Sequence, residues 1–397
     1  MEPEGAESVV DLSRLARQEV RPGYERLGAA CFFDAGRRPL AIWMEDHREL
    51  VFNPALGHGG SADGWAFAAW LFRCTMLFLA FGVDHLCWCH WIVSNILVTA
   101  ATESFDADHP LRRLIKPFTF GTININEAAM VKLVPKGGAG ERAGSWPCKA
   151  LHRAIHESSQ DFRYQSFEEF LRGKGLPRAV LEALPLAQDG RRLWRAIEDF
   201  VSSFLSACYG ADADTAEEAI KQSEDIRMFW AAADAGRVGD SLRLSLPELT
   251  RASLVEYLTH AIFYVTGVHE LLGNMVHFAT TPGAMAFRVH RRGCFGAGAG
   301  GRPPQASVQD MLRTASIVFS THLRMPRLID SMRRASRAWR RPDEWGGHPA
   351  SAELGRVLGG FADRLEALGG EIDADNGARA HPFHAFNPRN LEVSVSL

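Results

Sequence analysis

Apolar positions in this chain crowd into two long stretches. From Trp65 to about Ala101 they are almost continuous, without proline and with Gly82 as a weak point. A second apolar run extends from about Leu254 to Phe278. Runs of this length predict helices rather than strands, and a helix apolar on all sides is one surrounded by other helices. Elsewhere the apolar residues recur at helical spacing, as in Leu193, Ile197, Val201 and Phe204, then Ile220, Ile226 and Phe229-Trp230. Residues 307–335 and 351–369 read as further helices. Strand patterns are few. Pro39-Leu40-Ala41-Ile42-Trp43 and Leu50-Val51-Phe52 are short runs broken by turn residues and predict a small hairpin. Residues 1–30 read as a mixed polar helix or arm.

The expected fold is therefore mostly α, built around two long central helices with little β structure. Gly57-His58-Gly59-Gly60-Ser61, the connector Pro135-Lys136-Gly137-Gly138-Ala139-Gly140 and the glycine-rich stretch from Arg292 to Pro304 read as loops. With 397 residues a length prior suggests two or three domains. One hydrophobic stretch that organises its surroundings argues instead for a single domain over 1–397. Residues 1–63 would be its N-terminal arm and hairpin, and 64–397 its helical core. The first apolar run is long enough to span a bilayer. Arg73, Asp84, His85, His90 and Asn95 are spread through it, however, and ionisable groups at membrane depth are expensive. A buried helix is the expectation, with no stable membrane span.

Composition narrows the function classes. The chain is 46% hydrophobic and 23% charged with a formal net charge of −3, so it has no electrostatic footprint for nucleic acid. Seven cysteines are odd in number and scattered, and Met1-Glu2-Pro3-Glu4-Gly5 lacks a basic or apolar leader pattern. The expectation is a reduced, cytoplasmic protein without structural disulfides. Oligomeric state is not legible in the sequence.

The candidate chemistry lies in histidines on the two apolar runs and in the last residues. The sequence ends Asn387-Pro388-Arg389-Asn390-Leu391-Glu392-Val393-Ser394-Val395-Ser396-Leu397, an apolar, β-branched run expected to tuck inward rather than fray. A buried terminal carboxylate needs a positive partner, and a metal ion would serve. His85 and His90 are five residues apart, which on a regular α-helix is roughly 500° of turn and leaves the side chains about 140° apart. They converge only if a π-type turn falls between Asp84 and Trp91; otherwise they are core histidines bonded to backbone carbonyls. His269 sits within the second run. Asn274 again lies five residues on, so either it offers an amide oxygen through another widened turn or water fills that position. His277 lies too far along the axis. Three imidazoles and a carboxylate suit non-haem iron, with manganese as the other choice. Cys87 and Cys89 give a Cys-x-Cys-His spacing that matches neither haem attachment nor a paired zinc knuckle. His152 and His156 share a helix face but lack the zinc-protease order and a third ligand, so a solvated face is expected there.

These residues resemble the lipoxygenase family. His85-Leu86-Cys87-Trp88-Cys89-His90 is similar to its HxxxxH iron motif. His109-Pro110-Leu111-Arg112-Arg113-Leu114-Ile115-Lys116-Pro117 with Thr122 and Ile125-Asn126-Glu127-Ala128-Ala129 resembles its HPxxxLLxPH…TxxINxxAR block. Phe167 to Leu171, Asp189-Gly190, Leu193-Trp194, Tyr209 and Trp230 follow its order, Thr259 to Asn274 resembles the segment of the third histidine, and Asp373 to Asn376 with the final residues resembles its C-terminus. Phe118 stands where a histidine is usual, Met130 where an arginine is usual, and Gly273 at the usual position of the fourth ligand. The chain is also short before the first histidine, without room for an N-terminal β-barrel domain.

The resemblance implies a metal cage of His85, His90, His269, Asn274 and the Leu397 carboxylate. It implies a dioxygenase that takes hydrogen from a polyunsaturated fatty acid and inserts O2 to give a hydroperoxide. The shortened chain motivates a second reading, an oxygenase or oxidase tailoring a smaller natural-product or amino-acid-derived substrate; a third is a non-catalytic helical binding protein. In any of these the partner is a small apolar or amphipathic molecule, with O2 for the enzymes. Arg73, Trp88, Trp91 and Phe263 are the candidate substrate contacts. Phe78, Phe81, Ile262 and Met275 are further candidate walls, against ordinary core packing for each. Arg112 and Arg113 are expected on an exposed face. No catalytic side chain beyond the metal ligands is singled out.

Overall fold

The computed structural model describes residues 2–236, 243–274, 285–291, 307–320 (backbone only from 318), 325–341, 343–345 and 347–396. Leu397, Met275, His277, Cys294 and the whole glycine-rich stretch from Arg292 to Pro304 lie outside the described residues. The described chain is mainly helical, as expected. Contacts divide it into two compact units. One comprises Met1–Leu86, Glu127–Ser158 and Asn274–His322; the other comprises Cys87–Asn126, Ser159–Gly273 and Leu323–Leu397. The division falls inside the first long helix, whose backbone is helical throughout from Ala62 to Ser104.

The first unit carries the β structure, and there is more of it than the hairpin expected. Strands β1 (Ser8–Asp11), β2 (Ala29–Phe33), β3 (Pro39–Met44) and β4 (Glu49–Phe52) form one antiparallel sheet in sequence order. The supposed N-terminal arm thus supplies β1 and the start of β2. A four-residue strand such as β1 is too short to display a period of two, so its β-branched Val9-Val10 pair was the only local sign. The sheet packs on the helix Ala62–Leu79 through Ile42, Met44, Phe67 and Leu71. Phe78 lies 4.5 Å from Trp146, and Phe81 lies 5.7 Å from Phe287 (ring centroids), so both belong to this core. Arg73 points outward from the same helix.

The second unit is helical. Pro185–Tyr209 packs against Arg251–Phe263 and Ser351–Ala378, and Leu328–Trp339 lies along the last of these. Phe200 and Phe361 stack at 4.1 Å across that interface. Two glycines permit close approach: a Cβ on Gly190 would meet the Phe167 ring and come within 3.0 Å of Phe386, and one on Gly267 would come within 3.0 Å of Leu193. Asp189, fully buried, accepts a bidentate pair of bonds from Arg379 at 2.7 and 2.9 Å. Asn387 donates to Asp373 at 2.6 Å. These ties hold the turn after the last helix and direct the final residues inward.

The helix Ala62–Ser104 is apolar and long enough to cross a membrane by length and composition, but 56% of its most apolar window is already buried inside the protein.

Candidate metal centre

Each long helix is interrupted by a π-helical segment at its histidines. In the first it spans Ala80–Ser94, containing both His85 and His90, and in the second it spans Tyr264–Val268, ending just before His269. Ser94 donates its hydroxyl to the His90 carbonyl at 2.8 Å, and Thr266 to that of Ile262 at 2.6 Å. A side-chain hydroxyl bonded four residues back competes with the backbone N–H that would close an α-turn. Gly82 and Gly267 lie within these widened turns. The expected π-turn between Asp84 and Trp91 is present, as part of a longer segment.

The widening brings the rings together. The candidate ligand atoms of His85, His90 and His269 lie within 4.8 Å of one another, and the three residues are at most 5% exposed. The His90 and His269 ring centroids are 5.3 Å apart. Burial pushes the His90 imidazole down to about 4, against smaller upward pulls from its bonds to Asn126 and Ser396. It is therefore neutral near pH 7, the form that coordinates a metal. Among the described residues this is the one group of three or more histidine, cysteine or carboxylate side chains placed to hold an ion. Cys87 and Cys89, both buried, are not part of it.

The chain's end reaches the same place. Val393, Ser394 and Val395 are buried; the Val393 N–H donates to the Pro326 carbonyl at 3.0 Å, and the Ser394 hydroxyl to that of Phe120 at 2.9 Å. Ser396 then meets His269: its N–H donates to Nε2 at 3.1 Å, and its carbonyl oxygen lies 3.0 Å from the same nitrogen. A bound ion would take that Nε2 lone pair in place of the Ser396 N–H. Leu397, the expected carboxylate donor, is outside the described residues. Asn274 is half-buried directly after the short helix His269–Gly273. Three buried imidazoles fit iron, which takes nitrogen donors, and an oxygen from the chain terminus would broaden the set toward manganese.

Of the proposed substrate contacts, Trp88 and Phe263 line one apolar recess of about 70 Å³, together with Phe167, Trp194, Leu271 and Phe386. Trp91 is half-buried and does not line it. Arg113 corrects an expectation. It is 8% exposed, not on an outer face, bonded to Asp108 and lying over the rings of Trp339 and Trp345. Arg112, half-buried, donates to the Phe105 carbonyl. His109 caps the helix Pro110–Ile115 by accepting from the Leu111 N–H at 3.2 Å, which fixes it away from the cluster in a structural role. His152, on an exposed face, lies 3.5 Å from the Cys148 thiol and 3.2 Å from the Val134 carbonyl.

Sequence reasoning missed the part played by Asn126. Its Oδ1 lies 3.0 Å from His90 Nδ1, and its Nδ2 donates to the His90 carbonyl at 2.9 Å. The two are 36 positions apart, and no spacing rule links them.

Comparison with known proteins gives concordant results. The model of the lipoxygenase family matches residues 44–279. A manganese lipoxygenase of Colletotrichum gloeosporioides is 27% identical over 252 residues, covering 61% of this chain and 39% of that protein. Seed linoleate 9S-lipoxygenase-3 of Pisum sativum is 23% identical over 262 residues, covering 58% and 29%. Hydroperoxide isomerase ALOXE3 of Homo sapiens is 23% identical over 320 residues, covering 78% and 42%. This chain thus spans well under half the length of each. Among solved structures, a manganese lipoxygenase superposes with a TM-score of 0.78 at 19% identity, over 98% of this chain and 70% of that one. Coral 8R-lipoxygenase gives 0.75 at 16%, over 98% and 58%.

Proposed function

This chain belongs to the lipoxygenase family, and we propose that it is a metal-dependent dioxygenase of polyunsaturated fatty acids. The reaction takes hydrogen from an activated C–H and joins the carbon radical to O2, giving a hydroperoxide that contains both oxygen atoms and the returned hydrogen. The observation that carries this reading is the convergence of three buried histidines from two π-widened helices within 4.8 Å. These imidazoles would hold iron or manganese, with Asn274 and the Leu397 carboxylate as further oxygen donors. Such an ion, when bound, supplies the one-electron chemistry that carbon and O2 require.

The protein's own contribution is positioning and exclusion of water. His85, His90 and His269 are at most 5% exposed, so bulk water is kept from a carbon radical formed beside them. Trp88 and Phe263 offer an apolar wall for the substrate. The test is oxygen uptake by metal-loaded protein with linoleate or arachidonate. Consumption of O2 with appearance of conjugated-diene absorbance supports the reading, and no uptake with any polyene acid overturns it.

A second reading keeps the cage and changes the substrate. The aromatic recess of about 70 Å³ is roughly half the size of a cavity that holds one benzene ring. It takes a few carbons, not a fatty-acid tail. This favours a smaller molecule, natural-product or amino-acid-derived, if the recess is the substrate site, and oxygen uptake with such a small non-lipid substrate but not with polyene acids would select it.

A further inference from the structure

We propose that Asn126 is a positioning residue of the metal centre, which fixes the tautomer of His90 so that Nε2 faces the ion. The inference rests on the reading that His85, His90 and His269 hold a metal. Asn126 is 6% exposed on the helix Thr122–Ala128, and both ends of its amide are engaged by one residue.

The amide orientation follows from chemistry. The His90 carbonyl oxygen only accepts, so the amide end 2.9 Å from it must be the NH2 group. The Asn126 oxygen is then the atom 3.0 Å from His90 Nδ1, and since that oxygen also only accepts, Nδ1 must carry the ring proton. A neutral imidazole protonated at Nδ1 has its lone pair on Nε2, the nitrogen on the opposite side of the ring from Asn126. The ring can then neither flip nor exchange tautomers without breaking a buried bond. An outer partner of this kind orients a ligand and raises its basicity.

The same amide also secures the backbone. The His90 carbonyl accepts from both Asn126 Nδ2 and the Ser94 hydroxyl, at the residue where the π segment is about to give way to α-helix. One side chain thus ties the ring proton to the local helix geometry that places the ring.

Ring-15N histidine NMR of the full chain before metal is added, together with Zn²⁺ affinity by chelator competition, tests the proposal. In the unsubstituted protein the His90 proton is expected on Nδ1. Asn126→Leu removes both contacts and is expected to weaken Zn²⁺ binding on the order of 10- to 100-fold with loss of the single Nδ1–H signal. Asn126→Asp keeps an acceptor at Nδ1 and is expected to restore that signal and most of the affinity. Equal weakening in both variants, or an unchanged Nδ1–H signal and affinity in Asn126→Leu, overturns the proposal and leaves Asn126 as core packing. Failure of the unsubstituted protein to bind Zn²⁺ through these histidines would instead sink the metal reading itself.

Discussion

His269 Nε2 lies 3.1 Å from the backbone nitrogen of Ser396 and 3.0 Å from its carbonyl oxygen, across 127 positions of sequence. Ser396 is therefore already at the histidine cluster, next to Leu397, whose carboxylate is the proposed further ligand. Deleting Leu397 moves that carboxylate back by one residue. The expected result is loss of bound iron or manganese by at least the order of 10-fold seen when a supporting partner is removed, with the fold retained. Metal analysis beside circular dichroism checks this, and normal metal content in the deletion would remove the terminus from the ligand set.

The ion pair behind this placement is buried. Asp189 is fully shielded and held by Arg379, with Arg192 as a second partner. Removing one member of such a pair leaves an uncompensated charge and costs about 3–5 kcal/mol. Asp189→Leu is expected to lose that much stability in urea unfolding, and replacing Arg379 by Met in the same chain to recover part of it. A loss under about 1 kcal/mol would place the pair among weak surface bridges.

Close packing near the tail gives a separate prediction. A methyl on Gly190 would collide with Phe167 and press on Phe386, next to Asn387. Gly190→Ala is expected to cost about 1–3 kcal/mol through overpacking, and to lower metal retention because Phe386 leads into the final segment. An unchanged melting temperature would mean that these rings move aside freely.

Acid should destabilise the protein through histidines buried in neutral form. Burial pushes His260 down to about 3, and its Nε2 has no hydrogen-bond partner among the described residues. The unfolded chain binds the proton near 6.5, so stability is full above that pH and falls as pH drops from about 6.5 toward 3. At pH 5 His260 alone accounts for about 2 kcal/mol of the loss. His260→Leu is expected to reduce the difference in unfolding free energy between pH 7 and pH 5 by that amount. The same difference in both proteins would show that His260 is not held neutral.

Much of this site was legible because its signals are local. His85 and His90 could share an ion only through a widened turn, and the π segment over Ala80–Ser94 is such a turn. The helices followed from apolar runs and periodicity. The sheet was only partly legible, since β1 and β2 depend on partners more than on their own short patterns. Arg113 reads as a surface charge until the two tryptophans and Asp108 that surround it are seen. The clasp of Asn126 on His90 is a long-range contact between two polar residues, which periodicity does not encode.

If the proposed function holds, this protein is a metalloprotein whose ion is held by histidines from both long helices. Elemental analysis of the purified chain, with His85→Ala and His269→Ala beside it, tests this most directly. About one equivalent of iron or manganese is expected in the parent, and its loss in both variants. A parent without stoichiometric metal after loading, or variants that retain it, would show that these histidines do not hold an ion.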